Sequence, residues 1–341
     1  MIEKTIDIQV LNDFEKGLDP RHPERSNIPA RIIGYGEMST IFEINLRSLD
    51  NYAFKRMPIF RSTEEIDYYE ILYREYNRLI NDDIDVRIPE STSVRVIPNE
   101  GNMVLYIVQR KLPAQSICDR VIKVLDDNSI GKLVVLILRE MKKVFEFNAS
   151  GGNITIGFDG QISNWAIKDY DGSGPPHIDE DTQFYYIDTS TPLMSEKGVE
   201  KLKNWAIKDY DGSVPPRIDE DTQFYYIDTS TPLMSEKGVE KLNPDLFLRS
   251  APSFMAWLIK WVFLEGVIFL EGVMTRYYDF HLVTVDLIAN FYKEQRDDLI
   301  PSLIERANRF FEEEASELDT APITQKEVHS YYREDAPGKT P

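Results

Sequence analysis

The sequence predicts an α+β protein with a strand-rich amino-terminal part, a mainly helical carboxy-terminal part and a duplicated, hairpin-containing insertion. Runs rich in Ile, Phe and Tyr and punctuated by glycine fill residues 32–57, which is typical of strands. Apolar residues at three- and four-residue spacing fill much of 246–314, which is typical of helices. The length of 341 residues suits about two structural units at roughly 150 residues each.

The amino-terminal part reads as strands that enclose one helix. Residues 32–46 and 52–57 are extended and predict a hairpin, while 94–96 and 103–109 alternate like further strands. Between these strands, residues 62–80 carry apolar side chains at helical spacing, which predicts an amphipathic helix. We expect an extension over 1–27 and a nucleotide-binding domain over 28–112.

The carboxy-terminal part begins with the clearest helical stripe in the chain, over residues 130–145, which stops near Gly151 and Gly152. Short strands are predicted at 154–156 and 183–187. We expect this domain to cover 113–317. Residues 318–341 carry many charges with Pro and Gly, which predicts a flexible tail.

A tandem repeat interrupts this part of the chain. Residues 164–202 recur at 204–242, and the two copies differ only at Gly174/Val214 and His177/Arg217. One nearly identical pair does not make a solenoid, which needs three or more stacked units. We interpret the second copy as a surface insertion. A smaller duplication follows, VFLEGV at 262–267 and IFLEGV at 268–273.

Charge and composition exclude several classes of partner. With 39 Lys and Arg against 58 Asp and Glu, the net charge is -19, which disfavours nucleic acid and anionic membranes. Acidic and basic residues interrupt the most apolar stretch, 254–273, so we interpret it as a buried helix rather than a membrane span. The single Cys118 and the charged amino terminus predict a reducing cytoplasm without a secretory signal.

Two patterns in the amino-terminal part could contact phosphate. Gly34, Gly36, Ser39 and Thr40 lie between two strand-like runs, where backbone amides and hydroxyls can donate to phosphate oxygens. Lys55 stands in an otherwise apolar strand, and a buried lysine needs a partner. Glu75 on the predicted helix is the favoured partner, and Glu70 is the alternative. Taken singly, the glycines also fit an ordinary turn and the charges a solvated surface.

A second cluster of candidates follows the buried helix. Asp159 and Asn164 stand five residues apart, and Asp188 ends an apolar strand. In phosphoryl transfer such an Asp accepts the proton of the attacking hydroxyl, while the Asn and a second Asp hold a divalent cation. The second repeat copy offers Asp228 in place of Asp188, and we favour Asp188 because its connection to Asn164 is shorter. Asp and Asn also form ordinary turns, so this spacing alone is weakly specific.

In their order along the chain, these motifs resemble the protein-kinase-like superfamily. The greatest similarity is to its small-molecule branch, the aminoglycoside and choline phosphotransferase-like kinases, through GxxSTIFEI, AFKR, REYxxL and IDT within residues 30–315. The resemblance implies a two-lobed protein-kinase-like fold that uses ATP and Mg²⁺. The implied roles are ATP binding by Gly34, Gly36, Ser39, Thr40 and Lys55, adenine binding by the hinge through Val108, Arg110 and Lys111, catalysis by Asp159 with Lys55 and Glu75, and metal binding by Asn164 with Asp188 or Asp228.

The sequence departs from that family at the catalytic loop. Gly157 stands where the family has a histidine, and Asp-Thr-Ser replaces Asp-Phe-Gly. Our first hypothesis is an enzyme, a phosphotransferase acting on a small-molecule hydroxyl, and an acidic protein would suit a cationic acceptor. The alternative is a pseudokinase-like binding or scaffold protein. A third hypothesis is a chain that the duplications have made non-functional. No motif identifies the acceptor or sets an oligomeric state.

Overall fold

A computed structural model describes residues 6–35, 39–60, 62–96, 103–196 and 276–335, together with short strands at 199–200, 206–207, 224–225, 235–236 and 239–240. The chain divides into two compact units. The first includes residues 1–72 and 90–111, and the second includes 73–89, 112–200 and 269–341.

The first unit contains a five-stranded antiparallel sheet with the strand order β1-β2-β3-β5-β4. Its strands are β1 (Ala30–Tyr35), β2 (Thr40–Ile44), β3 (Tyr52–Met57), β4 (Ser91–Val96) and β5 (Val104–Arg110). The strand-rich amino-terminal part predicted from the sequence is confirmed. Because β3 lies between β2 and β5, its backbone is paired on both sides.

The two faces of this sheet have different surroundings. Helix α1 (Ile8–Lys16) begins at Asp7, whose side chain accepts a hydrogen bond from the Gln9 N–H, as N-cap residues do. Phe14 of α1 contacts the rings of Phe42 and Tyr106, with centroids 6.0 and 6.4 Å away. Since neighbouring residues across a ladder share a face, α1 covers the face of Phe42 and Phe54. From the sequence, residues 1–27 were predicted only as an extension, without this packing against the sheet.

Helix α2 (Thr63–Arg78) lies between β3 and β4 along the chain and confirms the amphipathic helix predicted there. Its last turn widens into a π-helical turn over Leu79–Asp83. Within the first unit, Arg95 of β4 bonds to two acids of α2, Asp67 at 2.5 Å and Glu70. This pairing attaches the amino-terminal half of α2 to an edge strand of the sheet.

Helices dominate the second unit, as the sequence predicted for the carboxy-terminal part. They are α3 (Cys118–Val121), α4 (Asp127–Ala149), α5 (Phe280–Lys293), α6 (Ile300–Glu313) and α7 (Gln325–Asp335). Asp126 caps α4 by accepting from the N–H groups of Asn128 and Ser129. The predicted apolar stripe of α4 is buried, and its Phe145 stacks on Phe280 of α5 at 4.8 Å.

Short strands follow α4. They are β6 (Ile154–Ile156), β7 (Trp165–Ile167), β8 (Phe184–Tyr186), β9 (Met194–Glu196) and β10 (Val199–Glu200). β7 pairs with β8, and β9 pairs with both β6 and β10. In the second repeat copy, β11 (Ala206–Ile207) pairs with β12 (Phe224–Tyr225), and β13 (Ser235–Glu236) pairs with β14 (Val239–Glu240). Ala166 pairs with Tyr185, and the equivalent Ala206 pairs with Tyr225.

The structure differs from the predicted flexible tail over 318–341, because α7 forms within it. Val328 of α7 is fully buried, and Tyr332 stacks on Tyr292 of α5 at 4.7 Å. The apolar spacing of these residues provides a buried face that the high charge of the segment obscured. Across the described ranges, no helix has the length and apolar character that a membrane span requires. The stretch 254–273 lies outside the described residues.

Candidate active site

Lys55 occupies a buried position on the central strand β3, with only 7% of its surface exposed. Its strand neighbours are Ile41 of β2 and Ile107 of β5. The ladders on both sides fix its height in the sheet, and side-chain alternation places it on the face opposite Phe54. A buried ammonium requires compensating negative or polar groups, and Lys55 does interact with other groups.

The glycine-containing hairpin joins β1 to β2 in the same unit. Its register shifts between Ile32 and Gly34, and Gly34 lies beside Ile41. A Cβ added at Gly34 would stand 3.3 Å from Ile41 Cδ1, so glycine here allows a close approach across the hairpin. Ser39 is buried and Thr40 is half-buried. Gly36 lies outside the described residues.

The two candidate partners of Lys55 are both on α2. Glu70 accepts a hydrogen bond from Arg95 Nε at 3.0 Å, and 13% of its side chain is exposed. Glu75 is half-buried. The pairing of Lys55 with Glu75 stays a prediction, and the ion pair with Arg95 shows that Glu70 already holds one cationic partner.

The hinge predicted over 108–111 forms the end of β5. Val108 is fully buried among the apolar side chains under α1. The N–H of Arg110 donates to Glu90 O and that of Lys111 to Asn51 O, each at 2.8 Å. Adenine recognition by this segment stays a prediction, and the N–H groups of Arg110 and Lys111 already have backbone partners.

Asp159 and Asn164 enclose a tight turn in the second unit. The Asp159 carboxylate accepts from the Gln161 N–H at 3.2 Å, and the Asn164 side-chain amide donates to Asp159 O at 3.4 Å. A 3₁₀ turn over Ile162–Asn164 leads directly into β7. Both side chains are half-buried. The same two residues therefore shape the turn and present oxygen atoms at its surface.

Asp188 joins this turn through the β7–β8 hairpin. Trp165 pairs with Tyr186, and the Ile187 N–H donates to Asn164 O at 2.9 Å. Asp188 follows directly, and its carboxylate accepts from Ser190 Oγ at 3.0 Å. The structure thus brings Asp159, Asn164 and Asp188 to one edge of this hairpin. Asp228 lies outside the described residues.

Tyr186 lies near both aspartates, and no motif in the sequence predicts its position. Its side chain is fully buried and stacks on Phe158 at 4.1 Å. Burial raises the pKa of Tyr186 well above its usual value, and the influence of Tyr76, Asp188 and Asp159 acts in the same direction. The hydroxyl therefore stays protonated near both carboxylates.

The strand that leads into Asp159 is held by groups from distant parts of the chain. The Asn148 side chain brackets Ile156, donating to its carbonyl at 2.8 Å and accepting from its N–H at 2.7 Å. The Gly157 N–H donates to Leu193 O at 2.8 Å. From α2, the Tyr76 hydroxyl donates to Gly157 O at 3.1 Å. These bonds add to the pairing of β6 with β9 and hold the end of the strand that leads into Asp159.

The turn itself is anchored by a buried pair on α5. Asn290 Oδ1 accepts from the Ile162 N–H at 3.1 Å. Asn290 Nδ2 donates to the backbone carbonyl and the carboxylate of Asp286, at 2.8 and 3.1 Å. Both side chains are at most 4% exposed. Because Asp286 occupies the amide nitrogen, the amide oxygen faces the turn. No sequence signal joins residues so far apart in the chain.

The departure at Gly157 has a structural counterpart. A Cβ at this position would stand 2.8 Å from Leu193 Cβ and 2.9 Å from Tyr278 Cζ. Both distances are shorter than real Cβ contacts. A histidine in this backbone therefore has no room unless Tyr278 moves.

The donor set suits a hard cation. Carboxylate and carboxamide oxygens are the ligands that Mg²⁺ prefers, and Mg²⁺ usually keeps several waters. Asn164 and Asp188 would supply two such oxygens beside Asp159. Within the described ranges, this site included, no group of three or more His, Cys, Asp or Glu is placed to hold a metal ion.

Comparison with protein families gives one match. Residues 21–206 match DUF6206, which is described as a family of unknown function. A comparison with curated proteins finds no match.

Solved structures of an aminoglycoside phosphotransferase resemble the chain at a distance. The GDP complex of wild-type aminoglycoside 2'-phosphotransferase-IIIa has 11% sequence identity and a TM-score of 0.32, and the alignment covers 85% of this chain and 96% of that one. A point mutant of the same enzyme, also with GDP, gives 11% identity, a TM-score of 0.31 and coverage of 85% and 95%. TM-scores this low do not establish a shared fold.

Proposed function

The chain belongs to DUF6206, a family of unknown function, and we propose that it is an ATP- and magnesium-dependent phosphotransferase acting on a small-molecule hydroxyl. The observation that carries this proposal is the meeting of Asp159, Asn164 and Asp188 at one edge of the β7–β8 hairpin. The proposal includes a two-lobed, protein-kinase-like architecture with a duplicated insertion and a nucleotide-binding amino-terminal lobe.

Each residue has a distinct role in this proposal. Asp159 would orient the acceptor hydroxyl and accept its proton as the oxygen bonds to the terminal phosphorus and the bond to the leaving nucleotide oxygen breaks. Asn164 and Asp188 would hold the magnesium ion, which when bound supplies charge neutralisation on the phosphates. Lys55, oriented by Glu75, would contact the phosphates, and Gly34, Gly36, Ser39 and Thr40 would cover them.

The remaining parts of the proposal rest on charge and composition. A net charge of -19 favours a cationic acceptor over nucleic acid or an anionic membrane. A cytoplasmic location would suit the single cysteine. For adenine, we propose the segment 108–111 at the end of β5.

Thermal unfolding with and without ATP and magnesium tests the binding half of the proposal. A ligand at a hundred times its Kd stabilises the folded state by about 2.7 kcal/mol. We expect a magnesium-dependent rise in Tm that Lys55→Ala and Asp188→Asn abolish. Asp228→Asn is the matched control, because it makes the same change in the same local sequence, and it should keep the rise. If only Asp228→Asn abolishes the rise in Tm, Asp228 of the second repeat copy rather than Asp188 binds the metal.

Phosphate transfer tests the catalytic half. We expect Asp159→Asn to keep the magnesium-dependent rise in Tm while losing turnover of ATP by about a hundredfold or more. Turnover would be followed as ADP release with a panel of cationic and neutral alcohols as acceptors. Equal turnover in wild type and Asp159→Asn would refute the proposal.

One observation favours a second candidate, a pseudokinase-like binding or scaffold protein. The space beside Gly157 that a catalytic-loop histidine would need is taken by Tyr278. This candidate predicts ATP binding without turnover, or no binding at all. The first outcome would show a rise in Tm with ADP release at the background level in every variant.

A further inference from the structure

We propose that Tyr278 is a positioning residue for Asp159, because its ring forms the wall beside Gly157 and thereby orders the turn over 157–164. This inference rests on the proposed function only in giving Asp159 a catalytic role. The ordering of the turn by the Tyr278 ring can be tested without any nucleotide.

The Tyr278 ring is in close steric contact with Gly157. Tyr278 Cζ and Cε1 would stand 2.9 and 3.1 Å from a Cβ at position 157. The ring therefore lies against the Cα of Gly157, where a larger residue would place its own side chain. Glycine has more backbone freedom than any other residue. Without a wall, this strand end would gain conformations that move Asp159, two residues further on.

One segment holds both ends of the turn. Tyr277, the neighbour of Tyr278, accepts from the Phe158 N–H at 2.7 Å. Asp279 then caps α5 by accepting from the Leu282 N–H at 3.1 Å. Asn290 of the same helix accepts from the Ile162 N–H at 3.1 Å. Removing the Tyr278 ring would therefore loosen the point where this segment meets the strand.

Both backbone polar groups of Gly157 also have hydrogen-bond partners. The Tyr76 hydroxyl donates to Gly157 O at 3.1 Å, and the Gly157 N–H donates to Leu193 O at 2.8 Å. With the N–H and the carbonyl of Gly157 held in this way, the ring of Tyr278 completes the enclosure.

Amide hydrogen exchange of the intact chain, read by mass spectrometry on peptides covering 157–165, is the first test. We expect Tyr278→Ala to speed exchange of these amides by about tenfold or more, since exchange follows local opening. Tyr278→Phe keeps the ring and should speed exchange much less than Tyr278→Ala does. Tyr292→Ala is the matched control, because it removes a half-buried ring from the far end of α5, where Tyr292 stacks on Tyr332.

A double-substitution cycle is the second test. Gly157→Ala should lower Tm in the wild-type background because the new Cβ meets Tyr278 and Leu193. In the Tyr278→Ala background, the same change should lower Tm less, because only the contact with Leu193 Cβ remains, and it should slow the exchange of the peptide again. Such non-additive effects on Tm show that the side chains at positions 157 and 278 compete for the same space.

The outcomes separate this inference from the proposed function. Unchanged exchange in Tyr278→Ala, or a Gly157→Ala penalty that is the same in both backgrounds, would overturn the inference even if the protein is an active kinase. Faster exchange with coupling supports it even if no phosphate is transferred. In an active enzyme, Tyr278→Ala should lower kcat by about tenfold or more while the KM for ATP stays near wild type. A change in KM alone would contradict the positioning role.

Discussion

Lys55 and Asp159, the two residues with the most demanding proposed roles, are held in place by different means. Lys55 stands in the middle of β3, where ladders to β2 and β5 pair its backbone on both sides. Asp159 follows a three-residue strand, and its neighbours are held one at a time by Asn148, Leu193, Tyr277 and Asn290.

The difference shows how a site residue can be sensitive or insensitive to changes elsewhere. A ladder distributes the positioning of Lys55 over many equivalent bonds, so the loss of one distant contact leaves its register intact. Around Asp159, beside the short pairing of β6 with β9, several backbone groups each depend on a single bond to a separate partner. We therefore expect substitutions in the first unit to cost stability with little local effect, and substitutions around the turn to disorder it locally.

The largest expected effect lies in the first unit, at the buried ion pair between α1 and β3. Arg56 donates to the Glu15 carboxylate through Nε at 2.9 Å and through a terminal nitrogen at 2.6 Å, and only 17% and 6% of the two side chains are exposed. Arg56→Met would leave the Glu15 carboxylate buried without its cation, at a cost of about 3 kcal/mol in the free energy of unfolding. Urea unfolding would measure it.

Two companion variants sharpen this prediction. Arg56→Met with Glu15→Leu should recover part of the loss, because no charge is left buried while the Tyr106 hydroxyl loses its acceptor. Arg78→Met breaks an exposed pair with Asp83 and should cost at most about 0.5 kcal/mol. The exchange of β3 amides near Lys55 should change no more than that of the unit as a whole. Selective opening at β3 would contradict the ladder argument.

The next effect is a steric one at the turn. A Cβ at Gly160 would stand 2.6 Å from both Val283 Cγ1 and Val283 O, and a backbone atom cannot move aside cheaply. Gly160→Ala should cost about 2 kcal/mol and should also speed amide exchange over 157–165. Gly152→Ala is the matched control, since its Cβ would meet nothing closer than 3.8 Å. Similar Tm values for the two variants would show that the turn yields without strain.

A matched pair of asparagines gives the third effect. Asn290 holds the Ile162 N–H near the site, while Asn308 brackets Ile323 far along the chain, donating at 3.0 Å and accepting at 2.7 Å. Each substitution to Ala leaves backbone groups without a side-chain partner and should cost about 1 to 3 kcal/mol. Only Asn290→Ala should speed exchange over 157–165. Equal exchange in both variants would show that Asn290 contributes stability but no local order.

The same contrast explains how much could be predicted from the sequence. The strands of the first unit and the position of Lys55 follow from alternation and glycine punctuation, which are local signals. Asp159, Asn164 and Asp188 were predictable because the turn and the short hairpin bring them together within 30 residues. Asn290 and Tyr278 were not, since their roles depend on contacts between distant segments. Tyr186 lies in the same hairpin, but no motif distinguishes it from an ordinary buried aromatic residue. Helix α7 was missed because its buried face includes only a few apolar residues among charges.

The smallest expected effect is a pH dependence that belongs to the second unit. Cys118 of α3 is fully buried, and burial, aided by the neighbouring Asp119 carboxylate, raises the pKa of its thiol well above the usual value. The unfolded chain releases this proton near pH 8.5, roughly the pKa of an unperturbed thiol, while the folded chain keeps it. The folded state therefore binds more protons above that pH, and its stability falls as pH rises.

Urea unfolding at about pH 8 and about pH 9.5 would measure this loss. The thiol should contribute about 1 kcal/mol of it, from the reference pKa and the linkage relation. Cys118→Ala removes the titrating group. Between these two pH values, the variant should therefore lose about 1 kcal/mol less stability than wild type does. The cost of the cavity is the same at both pH values and cancels in this comparison. Ile117, the residue before Cys118, forms a bridge with Ala166 of β7, which places this thiol beside the hairpin that carries Asn164. An equal fall in unfolding free energy for wild type and Cys118→Ala would mean that water reaches the thiol. This part of the second unit would then open more readily than its burial indicates.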